Sequence, residues 1–286
     1  MAITKLDLCE VKKLCRMALD EDMGDGDATT LAVVPPELTT EAHFMARKDC
    51  VCSGLPVVQT VFELLDPAVV FTAKVADGDW CPKGTDMAVV SGNAQAILTG
   101  ERVALNFIQR MSGIATMSHR YVEALGNSRT KLLDTRKTTP CLRMLEKYSV
   151  KMGGAENHRI GLYDRIMIKD NHREMAKFTG PDSIRRAVQA CRAKYPSLEI
   201  EVEADSLEDV ARAAEAGVEY ILLDNMSNET MVEAIRIVAG RAKTEASGNI
   251  TLERLPSLAN LGLDFISVGA LTHSAPAVDI GLDILV

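Results

Sequence analysis

The second half of the chain alternates short apolar runs with longer amphipathic segments. The apolar runs predict β-strands in KLLDTR, RIMIKD, LEIEVEA, YILLDN, KTEAS and DFISVG. The segments between and around them predict helices at approximately 140–150, 181–194, 206–216, 228–240 and 251–260. Such alternation is typical of parallel βα units. It favours an α/β barrel over a doubly wound open sheet, which would give the same alternation.

The first half of the chain has a different pattern. Residues Leu6 to Leu19 carry apolar side chains near helical spacing and predict one amphipathic helix, which the glycines of DMGDGDATT end in a loop. The runs EAHFMARK, VVFTAKVA and MAVVSG predict short strands of a small sheet. Residues 94–125 predict a long helix broken at Ser112-Gly113. The break suggests a domain junction between residues 1–112, joined by the tail 272–286, and a barrel over residues 113–271.

Composition is that of an ordinary folded protein and excludes several classes. The chain has 286 residues, of which 47% are hydrophobic and 25% charged. Its longest apolar runs are too short to span a membrane, and its first residues carry charges where a secretory signal would be apolar, so the cytoplasm is the default location. The seven cysteines show no zinc or redox spacing. A net charge of −8 argues against nucleic acid and anionic lipid as partners.

Positive charge is concentrated in one part of the chain. Between Lys131 and Arg173 there are ten Lys or Arg and five acidic residues, a net +5, which leaves −13 for the remainder. Several of these cations follow predicted strands or glycines: Arg136, Lys137, His158, Arg159 and Lys169. The carboxyl ends of barrel strands meet at one face of the barrel. These cations therefore predict a cationic pocket and not a solvated helix surface.

Acidic and small residues end the remaining strands. Glu201 and Glu203 share one face of their predicted strand, and Asp224 ends the next one. Such carboxylates can bind magnesium or stabilise a cationic sugar, and a structural ion-pair role is equally expected. The sequences EASGNIT and FISVGALTHS place glycines and hydroxyls after the last strands, where backbone N–H groups can approach a phosphate. The two commonest nucleotide-binding loops, with the motifs GxGxxG and GxxxxGK[ST], do not occur in the sequence.

In order, GERVALNFIQRMSGIAT, DTRKTTP, LRMLEKY, GGAENHR, IMIKDNH, the EVE run, ILLDN, EASG and ISVGALTHS resemble the quinolinate phosphoribosyltransferase family. The resemblance implies an N-terminal α/β sandwich followed by an incomplete, seven-stranded α/β barrel. It also implies a homodimer, or a hexamer, in which each subunit closes the site of its neighbour. The implied reaction joins quinolinate to phosphoribosyl pyrophosphate and releases carbon dioxide and pyrophosphate. It requires Mg²⁺ and no organic cofactor.

The resemblance also assigns roles to individual residues. Arg102 would reach the neighbouring subunit's site and help to bind quinolinate. The substrate carboxylates would be bound by Arg136, His158 and Arg159, with Lys137 and Lys169 between them and the phosphoribosyl group. Glu203 and Asp224 would lie near the ribose and magnesium, directly or indirectly, and Lys137 or Lys169 would protonate the product carbon unless water does. The 5′-phosphate would be bound by the loops that contain Ser247, Gly248, Asn249, Ser267 and Gly269.

Two positions depart from the family pattern, because Cys141 and Asn249 stand where the family usually has glycine. Asn tolerates a left-handed backbone better than most residues, so the phosphate loop is expected to survive. Three alternatives stay open at this point. They are a related phosphoribosyltransferase acting on nicotinate, a Schiff-base lyase with Lys169 as nucleophile, and a non-catalytic binder of phosphorylated sugars.

Overall fold

A computed structural model describes residues 3–285, which form two compact units. The antiparallel-sheet unit comprises Ile3–His119, Thr139–Gly154 and the described residues from Leu271 onward. The parallel-sheet unit comprises Arg120–Thr138 and Ala155–Ala270. Within the described part of the chain, no helix has both the length and the apolar character that a membrane span requires.

The helices and strands follow one another in a fixed chain order. They are α1 (Leu8–Met23), α2 (Ala28–Val33), β1 (Thr39–Ala46), β2 (Cys50–Val51), α3 (Leu55–Leu65), β3 (Val70–Ala73), β4 (Trp80–Cys81), β5 (Asp86–Asn93), α4 (Ala94–Leu125), β6 (Lys131–Leu133), α5 (Arg143–Met152), β7 (Ile166–Ile168), α6 (Asp170–Met175), α7 (Ser183–Lys194), β8 (Ile200–Ala204), α8 (Leu207–Glu215), β9 (Tyr220–Asp224), α9 (Asn228–Val238), β10 (Lys243–Ser247), α10 (Leu255–Leu258), β11 (Phe265–Ser267), α11 (Ala270–His273) and β12 (Ile280–Leu285).

The antiparallel sheet has the strand order β12-β1-β5-β3. The three strands predicted in the first half of the chain are therefore confirmed as β1, β3 and β5, and β12 from the end of the chain pairs with β1. Phe44 of β1 is fully buried and packs edge-on against Phe62 of α3 and Phe71 of β3, with ring centroids 6.2 and 6.4 Å away. The sheet thus buries one face against a helix, as an antiparallel sheet of this size requires.

Helix α1 confirms the predicted amphipathic helix. The Asp7 carboxylate caps it by accepting a hydrogen bond from the backbone N–H of Cys9, and Val11, Cys15 and Leu19 are buried on one face. The predicted loop after it is wrong in part. Asp27 accepts from the Thr30 N–H at 3.0 Å and begins the second helix, because an Asp followed by alanine and threonines is a good N-cap.

The predicted break at Ser112-Gly113 is wrong, because α4 runs through it without interruption. Ser112 is buried and its hydroxyl accepts a hydrogen bond from the Ser53 backbone N–H at 3.0 Å. At Gly113 a β-carbon would lie 2.0 Å from the carbonyl oxygen of Pro276. The glycine therefore allows the chain around Pro276 to approach the helix closely, and it does not end the helix.

The parallel sheet has the strand order β6-β11-β10-β9-β8-β7, so all six predicted strands form and pair in parallel. Its central strand β9 is buried apart from Asp224 at its end, which agrees with a strand that is covered on both faces. Helices α5, α7, α8 and α9 occupy four of the predicted segments, whereas only Leu255–Leu258 of the segment 251–260 is α-helical.

An isolated parallel bridge joins Leu133 of β6 to Glu156, on the side of β6 away from β11. The fold is therefore α/β with a six-stranded parallel sheet and one further bridged segment. Closure as a seven-stranded barrel, the sandwich and the boundary at residues 112 and 113 stay predictions. Residues 139–154 belong to the antiparallel-sheet unit, together with the tail.

Candidate active site

A cavity of about 650 Å³ opens at the carboxyl ends of the parallel strands. This is the face at which barrel enzymes place their reactive groups, because loops from several strands converge there. The residues that line it are Thr135, Arg136, Lys137, His158, Arg159, Met167, Lys169, Glu203, Leu222, Asp224, Asn225, Glu245, Ser247, Gly248, Asn249 and Ser267. All belong to the parallel-sheet unit.

The structure brings together almost every residue that the sequence singled out. Two of the residues to which the resemblance gives a role do not line the cavity. Arg102 is exposed on α4 in the antiparallel-sheet unit, and Gly269 lies two residues beyond the end of β11. The predicted cations that line the cavity do so together with Glu203 and Asp224. The roles given to the individual side chains stay predictions.

The cationic wall of the cavity is built by the segments that follow β6 and Glu156. Arg159 is buried, and its Nη1 donates a hydrogen bond to the carbonyl oxygen of Arg165 at 2.9 Å. Burial lowers the pKa of Arg159, and so does the positive charge of Arg136 nearby. The positive charges of the two guanidinium groups repel each other, so an anion bound between them would be stabilised.

His158 lies against two buried carboxylates. Its Nε2 is 3.2 Å from an oxygen of Glu201 and 3.5 Å from an oxygen of Glu245, and its Nδ1 accepts a hydrogen bond from the Arg159 backbone N–H. Burial lowers the pKa of His158, but hydrogen bonding and charge from the two carboxylates outweigh burial and raise it to about 9. The Arg159 N–H opposes a second ring proton. Charged or neutral, His158 keeps a proton on Nε2 that faces the carboxylates.

Glu201 and Glu203 share a strand face, as predicted, but they lie in different environments. Glu201 is fully buried, with an oxygen 3.7 Å from Arg165 Nη1, and burial together with the charge of Glu245 raises its pKa. Glu203 lines the cavity and accepts a short hydrogen bond from Lys169 Nζ. Only Glu203 can therefore meet a ligand directly.

The acidic wall fits a hard cation. Glu203, Asp205 and Asp224 each offer an oxygen, and these oxygens all lie within 4.8 Å of one another. Burial and then the charge of Glu203 raise the pKa of Asp205, so these two carboxylates repel each other in this arrangement. A divalent cation would relieve that repulsion, and carboxylate oxygens are the ligands that Mg²⁺ prefers.

The loop after β10 contains two consecutive residues with positive φ. Gly248 has φ +91°, and Asn249 follows with φ +50°. Asn249 thus adopts the left-handed conformation expected where the family has glycine. Cys141 shows the same feature with φ +66°, on an exposed turn before α5. Both departures from the family pattern therefore occur at positions where glycine would be the unstrained residue.

Several residues that bear on the site escaped the sequence reasoning. Glu245 and Asn225 line the cavity, and Asp205 completes the acidic group. The signal for Glu245 is its position two residues before Ser247 on the same strand face, which is the argument that paired Glu201 with Glu203.

Comparisons with known proteins agree with this site. A family model described as quinolinate phosphoribosyl transferase, C-terminal domain, matches residues 114–283, and the N-terminal domain model matches residues 27–112. A probable nicotinate-nucleotide pyrophosphorylase [carboxylating] of Bacillus subtilis is 43% identical over 96% of this chain and 93% of its own length. The corresponding probable enzyme of Synechocystis is 42% identical over 93% and 90%.

Among solved structures, the crystal structure of NadC from Streptococcus pyogenes superposes with a TM-score of 0.93 at 42% identity, covering 99% of this chain and 100% of that one. The sequence matches and the superposition span both units, and they agree with the ordered motifs that carried the resemblance. The chain belongs to the quinolinate phosphoribosyltransferase family.

Proposed function

We propose that this protein is a decarboxylating quinolinate phosphoribosyltransferase of NAD biosynthesis. It would convert quinolinate and 5-phosphoribosyl 1-pyrophosphate to nicotinate mononucleotide, pyrophosphate and carbon dioxide. One observation carries the proposal: in a chain of this family, Arg136, Arg159 and Lys169 line a single cavity together with Glu203 and Asp224, and Lys169 contacts Glu203 directly. Cations and acids in one cavity suit an anionic acceptor beside a sugar that becomes cationic during transfer.

The guanidinium side of the cavity would bind quinolinate. Arg136 and Arg159 supply planar forks that match carboxylate oxygens, and Lys137 and Lys169 add point charges. At an effective dielectric constant near 20, one unit charge pair 4 Å apart contributes about 4 kcal/mol before desolvation. A monocarboxylate such as nicotinate would leave part of this charge without a counter-charge, so a dicarboxylate is favoured.

The loops at the ends of β10 and β11 would bind the phosphoribosyl donor. Hydroxyls and backbone N–H groups for the 5′-phosphate would come from Ser247, Gly248 and Asn249, from Ser267 at the end of β11 and from Gly269 beyond it. Glu203 and Asp224 would lie by the ribose and, with Asp205, would hold Mg²⁺ directly or through water. When bound, Mg²⁺ neutralises the pyrophosphate as a leaving group.

The bond-making and bond-breaking steps then use side chains that line the cavity. The C1–pyrophosphate bond breaks, the ribose carbon gains cationic character that Glu203 and Asp224 stabilise, and the pyridine nitrogen bonds to it from the opposite face. The ring nitrogen becomes positive, and its charge stabilises the electron pair left on the adjacent ring carbon when the 2-carboxylate departs as carbon dioxide. Lys137 or Lys169 would then deliver a proton to that ring carbon, unless water does.

The family architecture is part of the proposal. The bridge of Glu156 to β6 supports a seventh strand, and hence an incomplete seven-stranded barrel beside an N-terminal sandwich. Exposed Arg102 would complete the site of a second copy in a homodimer, or in a hexamer built from such dimers. The protein would act in the cytoplasm, with small molecules as its other partners.

The test is a direct assay. Purified protein with quinolinate, phosphoribosyl pyrophosphate and Mg²⁺ should form nicotinate mononucleotide, and nicotinate as acceptor should give little product. Arg136→Ala should mainly raise KM for quinolinate, whereas Asp224→Ala should mainly lower kcat. The control Arg236→Ala alters an exposed surface ion pair and should behave as wild type. Wild-type kinetics in both Arg136→Ala and Asp224→Ala would refute the assignment, and turnover of nicotinate alone would refute the substrate.

A further inference from the structure

Asn225 joins the end of β9 to the loop after β10. Its Nδ2 donates a hydrogen bond to Asp224 Oδ2 at 2.8 Å, and its Oδ1 accepts one from Asn249 Nδ2 at 3.1 Å. The Asn225 backbone N–H donates to the Ser247 carbonyl oxygen at 2.9 Å. Because the Asp224 carboxylate accepts and Asn249 Nδ2 donates, only one orientation of the Asn225 amide satisfies both neighbours.

The backbone at this junction is held in unusual conformations. Asn225 has φ +53°, and Gly248 and Asn249 have φ +91° and +50°. A β-carbon on Gly248 would lie 2.1 Å from Asn225 Oδ1, so the two loops are in close contact. Non-glycine residues keep a left-handed conformation only where their surroundings enforce it, and such positions cluster at ligand-binding sites.

Arg254, just before α10, binds both loops from their backbone side. Its Nη2 donates to the carbonyl oxygen of Met226 at 2.8 Å, and its Nη1 donates to that of Gly248 at 3.3 Å. Neither Asn225 nor Arg254 has a role in the proposed chemistry. Both nevertheless hold the acid at the end of β9 at a fixed distance from the loop after β10.

We propose that Asn225 is a positioning residue that couples Asp224 to the phosphate-binding loop, with Arg254 holding the two loops together. The inference rests on the proposed function, in which Asp224 faces the ribose and the loop binds its 5′-phosphate. The two ends of one sugar phosphate are then bound by groups that a single amide side chain connects. Asn249 contributes a hydrogen bond that glycine at this position would lack, which gives the departure from the family pattern a function.

Two variants test the two side-chain hydrogen bonds of Asn225 separately. Asn249→Gly removes the bond between Asn225 and the loop after β10. It should raise KM for phosphoribosyl pyrophosphate about fivefold with kcat unchanged, which corresponds to the loss of one neutral hydrogen bond. Asn225→Asp keeps an acceptor for Asn249 but replaces the donor to Asp224 with a repelling carboxylate, and should lower kcat about tenfold or more. Neither variant should change KM for quinolinate.

The control and the double variant exclude a merely structural role. Asn228→Ala removes a hydrogen bond to Ser257 outside the cavity and should leave both KM values and kcat as in wild type. The effects of Asn225→Ala and Asn249→Gly on KM should not add, because both remove the same bond. Additive effects would overturn the proposal, as would Asn225→Ala kinetics within twofold of wild type, or equal increases of both KM values with a lower unfolding temperature.

The affinity for ribose 5-phosphate, measured by calorimetry, tests the role of Asn225 without requiring turnover. Wild type should bind it, and Asn225→Ala should bind it about tenfold more weakly. Equal affinities would overturn the role of Asn225 even if quinolinate is turned over normally. A wild type that binds ribose 5-phosphate but does not use quinolinate would instead refute the proposed function alone.

Discussion

The ion pair between Arg110 and Glu146 offers the sharpest test of the structure outside the cavity. Glu146 of α5 is only 1% exposed, and one of its oxygens lies 2.8 Å from Arg110 Nη2 on α4. Arg110 also donates to the carbonyl oxygens of Thr272 and Ala275, at 2.6 and 2.8 Å. One guanidinium thus joins two helices and the C-terminal segment of the antiparallel-sheet unit.

Replacing Arg110 with methionine keeps the apolar stem and leaves the buried Glu146 carboxylate without its counter-charge. Breaking a buried pair by removing one partner costs about 3–5 kcal/mol. Arg110 itself is 29% exposed, so water can partly replace it, and we expect about 3 kcal/mol. Glu146→Gln in the same background removes the orphaned charge and should recover about half of the loss.

The assay is guanidinium unfolding followed by fluorescence of Trp80, the single tryptophan of the chain, which lies in the same unit as Arg110. The exposed pair of Arg236 and Glu233 is the matched control, and Arg236→Met should cost no more than about 0.5 kcal/mol. An Arg110→Met cost as small as this, or additive effects of Arg110→Met and Glu146→Gln, would refute the reasoning.

Two further predictions concern the same unit. Cys141→Gly should raise the free energy of unfolding by about 1 kcal/mol, because Cys141 has φ +66° and glycine has no penalty there; Cys141→Ser should not, and equal stability of the two variants would contradict the strain. The hydrogen bond to Asp86 raises the pKa of His43 against burial, so its stabilising contribution is complete below about pH 6.5 and is lost as pH rises through the raised pKa. His43→Gln should remove that part of the pH dependence of unfolding, and an unchanged pH profile would count against it.

The sequence predicts the parallel sheet well because most of its strands are short, largely apolar runs ended by a charged or small residue. It predicts the first half less completely. Helix α3 has six buried residues among its eleven, and its exposed polar face consists of Gln59 and Glu63, which is narrow for a sequence pattern to reveal. Strand β12 comes after the proline-containing segment 274–279. It is defined by its pairing with the distant β1, and a local sequence pattern does not indicate such a pairing.

The sequence predicts which charged residues meet in the site, but it does not predict the surroundings of each one. Carboxyl ends of parallel strands share one face, so charges that follow strands had to converge. The environment of each charge depends on neighbours from other strands, which is why Glu201 and Glu203 look equivalent in the sequence although only one lines the cavity. The hydrogen bonds that join Asn225 to Ser247 and Asn249 likewise connect residues far apart in the chain.

The interior of the parallel sheet changes character along its strands, and this change explains why one end reacts. Towards the amino ends, Arg165 lies 4.0 Å from the ring centroid of Tyr220, and Lys243 lies 5.1 Å from it, so cations there are covered by an aromatic ring. Towards the carboxyl ends the inward positions carry Glu245 and Asp224. Glu245 is buried, and neither of its carboxylate oxygens has a hydrogen-bond partner among the described residues, which costs stability. The proposed chemistry of the cavity is a physical reason to keep this carboxylate.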